Sequence, residues 1–147
     1  MAIVFCFCLC KFIFCLNRPF QPLTKQLKEG HVDIGKILFI DGISKSAGQD
    51  IKEENCICVQ SAAALTELSL VVTKAINTGQ FNGLLFNSLS TLLIYNKKEA
   101  ISKFVQTLVN KLRKANMTAI FTALEGDTEK GLLKEVGLFV DDVVKYS

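Results

Sequence analysis

The stretch GLLFNSLSTLLIY, Gly83 to Tyr95, decides how the rest of the chain is read. Leu84 to Phe86 form a short, uninterrupted apolar run, the mark of a strand covered on both faces rather than one. That run stops at the polar pair Asn87-Ser88, and a second apolar run follows directly. A buried strand ending in short polar residues fits a parallel sheet, in which ligands sit beyond the carboxyl ends of the strands.

Working outward, the same alternation of short apolar runs with amphipathic stretches recurs on both sides. Upstream, FIFCL (Phe12 to Leu16), ILFID (Ile37 to Asp41) and CICV (Cys56 to Val59) read as strands. Phe20, Leu23 and Leu27 recur at helical spacing until Gly30, and Leu65, Leu68, Val72 and Ile76 mark a second helix face closed by Thr78-Gly79. Downstream, Asn96 with Glu99 three residues later has the form of a capping box. The helix it opens carries the stripe Ile101, Phe104, Val105, Leu108 and Leu112. MTAIFTAL (Met117 to Leu124) then reads as a buried strand, Thr128 to Val136 as a short helix stopped by Gly137, and LFVDDVVKY (Leu138 to Tyr146) as a last strand. This order predicts an α/β fold, a three-layer α/β/α sandwich with a mostly parallel central sheet.

The bulk composition agrees with one such domain over residues 1–147. The chain has 147 residues, half of them hydrophobic, enough for one continuous core. Its 17 basic and 14 acidic residues are interspersed rather than massed, giving a net charge of only +3. This balance offers no clear nucleic-acid signal. Residues 1–11 are atypical, apolar and rich in cysteine. Cys6, Cys8 and Cys10 would share one face of a strand there. The run is too short to span a bilayer, has no positive charge ahead of it and no small-residue cleavage site after it, so no membrane association and a cytoplasmic location are expected. The six cysteines, which include Cys15, Cys56 and Cys58, come with a single histidine, His31, and read as reduced buried thiols; no metal site is expected.

Three segments carry a family resemblance. GLLFNSLSTLLIY, KFVQTLVNKLRKANMTAIFT and FVDDVVKY together resemble the second half of RecA-fold ATPases of the P-loop superfamily, in particular the archaeal KaiC-like and RadA-like group. CLNRPFQPLTKQLKEGHVDIGKILFIDGIS resembles the segment after that family's first helix. The match runs over roughly residues 12–147 and rests on order and spacing rather than on one diagnostic motif.

The resemblance implies a RecA-like fold with a nucleotide site, and the chain departs from it in three places. None of its nine glycines forms the Walker A pattern G-x-x-x-x-G-K-[ST], whose backbone N–H groups and lysine hold a triphosphate. The Walker B aspartate falls on Asn87, which carries no charge toward Mg²⁺. The catalytic glutamate falls on Asn17, followed by Arg18, and an amide is no general base. The remnant of a nucleotide site would then comprise Asn17, Arg18, Asn87, Ser88 and Glu125, with no catalytic residue and no cofactor. Two expectations follow: a truncated, non-catalytic regulatory or interaction module acting through a protein partner or self-association, or an ATP- and Mg²⁺-binding ATPase whose phosphate loop lies outside this chain. Asn87 and Ser88 read more simply as caps of the turn after a strand, and Asp41 and Glu125 as surface carboxylates rather than an acid–base pair.

Overall fold

The computed structural model describes residues 12–16 and 19–145. The strand expected within residues 2–10 lies outside them, as do Asn17 and Arg18.

Among the described residues five strands build one sheet: β1 (Phe12–Leu16), β2 (Ile37–Asp41), β3 (Cys56–Cys58), β4 (Gly83–Asn87) and β5 (Thr118–Thr122). Their order is β3-β2-β1-β4-β5, and every pairing is parallel. Parallel neighbours need crossovers, and helices supply three of the four: α1 (Phe20–Glu29), α2 (Leu65–Asn77) and α4 (Lys98–Lys114). A polar loop of tight turns joins β2 to β3 instead. The short α3 (Leu89–Leu92) follows β4, and α5 (Asp127–Val136) follows β5.

Alternation along the strands sorts the core into two parts. Ile13, Ile40, Leu84 and Phe86 point to the side covered by α2, α4 and α5, where the larger cluster forms. Ile37, Phe39, Cys56 and Leu85 point to the other side, against Phe20, Leu23 and Leu27 of α1. The stripe on α4 is buried as its spacing predicts: Ile101 and Val105 are fully inaccessible, and Phe104, Leu108 and Leu112 nearly so. Burying side chains of this size stabilises by about 1.5–3 kcal/mol each, so this one face outweighs every surface contact of the helix. At its centre Phe86 packs edge-on to Phe104, centroids 5.9 Å apart, and stacks with Phe121 at 6.0 Å.

Three expectations need correction. The last strand does not form. The N–H groups of Leu138, Phe139 and Val140 extend the end of α5 by bonding Glu135 and Val136 carbonyls, and Arg113 holds the Phe139 carbonyl and Asp141 at 2.8 Å. With its donors engaged there and Leu138 left 80% exposed, the stretch does not pair with the sheet. The β5 segment is shorter than expected and only half-buried, because it lies at one of the two edges of the described sheet. The capping box is also absent: Lys97 is the N-cap of α4, and the Asn96 amide donates to the Leu92 and Ala62 carbonyls instead.

Candidate functional site

In this strand order the chain moves outward from β1 in both directions, to β2 on one side and, after β3, to β4 on the other. The crevice between the carboxyl ends of β1 and β4 is therefore the switch point at which open α/β sheets bind ligands. Register places Leu16 opposite Asn87 and Asn87 opposite Thr122 at this edge. Asn17 and Arg18 follow β1 directly in the sequence and lie outside the described residues.

Asn87 is half-buried, and its side-chain oxygen accepts a hydrogen bond of 2.8 Å from the Thr122 hydroxyl on β5. The side chain thus ties two strand ends together rather than capping the local turn. Ser88 has extended backbone and stands at the N-cap of α3, though its hydroxyl makes no capping bond; the Asn87-Ser88 peptide is cis. One turn on, the buried Ser90 hydroxyl accepts from the Leu124 N–H at 2.8 Å, so the loop after β5 is pinned over the start of α3. Glu125, next along that loop, is exposed and paired at 2.7 Å with Lys145, which holds its carboxyl below the usual glutamate range. Asn87, Ser88 and Glu125 therefore belong to one edge of the sheet, but Glu125 is engaged by a lysine rather than directed at Asn87.

Asp41 departs most from its sequence reading. It is fully buried at the end of β2 rather than exposed. Its carboxylate accepts the N–H groups of Phe20, Ile43 and Ser44 and the Ser44 hydroxyl, so each oxygen receives two bonds. The Phe20 bond matters because α1 begins after Pro19, which offers no side-chain cap, and Asp41 takes over one of the orphan donors of that helix. Negative charge at a helix N-terminus is favourable in itself. The sequence signal was present in Asp41-Gly42-Ile43-Ser44, a carboxylate followed by a serine at a turn, where such side chains bond the backbone ahead. Thr122 gave no comparable signal, since its partner is 35 residues away.

The described groups at the switch point are thus an amide and hydroxyls, and the two nearby carboxylates, Asp41 and Glu125, are held by other partners. Comparison with known proteins identifies the scaffold. The family described as "ATPase: KaiC" matches residues 24–145. The chain belongs to the KaiC ATPase family. No curated protein matches the sequence. Among solved structures, the fold is similar to a KaiC-like protein, PH0186, from the hyperthermophilic archaeon Pyrococcus horikoshii OT3. The TM-score is 0.59 at 15% identity, over 86% of this chain and 55% of that one. The chain therefore spans about half the length of this KaiC-like neighbour and shares its RecA-like α/β fold. No helix among the described residues is long and apolar enough to cross a membrane.

Proposed function

We propose that this KaiC-like chain keeps the fold as a regulatory or protein-interaction module and does not itself hydrolyse ATP. The observation that carries this reading is Asn87. Where the resemblance places a metal-holding carboxylate, the chain has a neutral amide whose oxygen is already bonded to Thr122. Such a group does not fit Mg²⁺, which favours carboxylate and phosphate oxygens. Neither ATP nor Mg²⁺ is then expected as a cofactor. The outer edge of β5 supports self-association as the mode of action. It has no strand partner among the described residues, its sequence TAIFT has no charge or proline to protect it, and Ile120 is 50% exposed. A second copy offers the same uncharged edge, and main-chain pairing would supply affinity.

The test is calorimetric titration of the purified chain with ATP, with and without Mg²⁺. No binding at millimolar nucleotide is the expected result; micromolar, Mg²⁺-dependent binding would overturn the proposal. One observation favours a second reading, an ATP-binding ATPase completed by polypeptide outside this chain: the chain covers only 55% of the KaiC-like structure it matches. On that reading, ATP binding appears only when a longer form of the protein is titrated.

A further inference from the structure

Strand β3 presents Cys56 and Cys58 on one face, because alternate residues of a strand share a side. Its register with β2 sets Cys58 opposite Asp41 and Cys56 opposite Phe39. One sulfur from each cysteine and one carboxylate oxygen of Asp41 consequently lie within 4.8 Å of one another. Both cysteines are free; Cys56 and Asp41 are buried, and Cys58 is partly open to solvent.

We propose that Cys56, Cys58 and Asp41 form a binding site for a thiophilic divalent cation of the Zn²⁺ class, with water in the fourth position. Two sulfurs and one oxygen suit Zn²⁺ rather than Mg²⁺ or Ca²⁺, which take oxygen ligands. A disulfide is the poorer use of the pair. Residues two apart on a strand have Cα atoms about 6.6 Å apart, near the upper limit of disulfide geometry. Binding is then an exchange in which one M²⁺ enters, two S–H bonds become two metal–thiolate bonds, and two protons leave to solvent. Of the groups that hold Asp41, only the Ser44 hydroxyl has a proton free to turn aside, so that bond is the one to yield to the cation. The three backbone donors stay in place and fix the carboxylate. The partly exposed Cys58 marks the way in.

The experiment is titration of the reduced, chelator-treated full chain with Co²⁺, read by thiolate-to-metal charge-transfer absorption, and with Zn²⁺, read by calorimetry in buffers of different ionisation enthalpy. The expected result is one tight site per chain, thiolate bands with Co²⁺, and release of two protons. Cys56→Ser with Cys58→Ser should abolish the bands, whereas Cys6→Ser, Cys8→Ser, Cys10→Ser and Cys15→Ala together should leave them intact. Asp41→Asn, which alters a ligand itself rather than a group behind one, should weaken Zn²⁺ binding by at least about 10-fold. Circular dichroism of each variant separates lost binding from lost folding, and Zn²⁺ should raise the melting temperature of the wild type but not of the Cys56/Cys58 double variant. Absence of thiolate bands in the folded, reduced wild type, or bands that survive the double substitution, would overturn the proposal.

Discussion

Replacing Asp41 by alanine should cost more stability than any surface change in this chain, and the amount follows from its bonds. The carboxylate receives three bonds in buried surroundings, from the Phe20 N–H, the Ser44 N–H and the Ser44 hydroxyl, and a part-buried one from the Ile43 N–H. The Ser44 hydroxyl can turn away, and water can reach the Ile43 donor. Two buried backbone donors are left stranded, at about 1–3 kcal/mol each. Loss of the charge at the start of α1 adds about 0.3–1 kcal/mol. The sum is about 4 kcal/mol, a large part of the roughly 5–15 kcal/mol by which domains are stable. With a urea slope of about 2 kcal/mol/M, the unfolding midpoint followed by circular dichroism should fall by about 2 M. Asp41→Asn keeps one acceptor oxygen but turns an NH₂ toward another donor, so about half that loss is expected. A midpoint shift below about 0.5 M for Asp41→Ala, with unchanged slope, would show that Asp41 does not hold β2 to α1 and would refute the account.

Further expectations concern the core, the switch point, the surface and the edge. Phe86→Ala removes a ring packed between Phe104 and Phe121 and should cost about 3–5 kcal/mol, with Phe86→Leu recovering most of it; urea unfolding of both variants checks this. Asn87→Asp should leave stability within about 0.5 kcal/mol, because a carboxylate accepts the Thr122 hydroxyl as readily as an amide, and calorimetry should still find no ATP binding by this chain. Lys98 pairs with Glu135 at 2.7 Å and, with Ser102, holds the Glu135 carboxyl below the usual range. A lowered carboxyl contributes stability above the unfolded-state value and loses it as pH falls through the folded-state value. Glu135→Gln should therefore flatten the acid side of the thermal stability profile, most visibly at low salt. Ile120→Lys on the open β5 edge should lower any self-association seen by analytical ultracentrifugation without lowering the melting temperature.

The elements that could be read from the sequence were those whose burial is local in period. The α4 stripe repeats at helical spacing, and β1, β2 and β4 are short continuous apolar runs, so one buried face accounts for each. The stretch after Gly137 failed for the complementary reason. Its apolar alternation looks like a strand, but whether it pairs depends on where its backbone groups go, and the end of α5 takes its N–H groups while Arg113 takes the Phe139 carbonyl. Asp41 failed similarly, since its type suggested exposure while the donor that ties it to α1, the Phe20 N–H, lies 21 residues back along the chain.

The candidate site shows the same division in its chemistry. Residue type alone says that position 87 carries no charge, and that much was legible at once. Only the parallel register of β4 and β5 shows the amide bonded across strands to Thr122, a bond that an aspartate would make equally well. Packing therefore does not require asparagine there. Asp41 is the opposite case: it meets four donors, so its charge is demanded by the fold, and it is no evidence of catalysis. A carboxylate is required at position 41, where it ties β2 to α1, whereas position 87, onto which the resemblance places a metal-holding aspartate, carries an amide that packing does not demand.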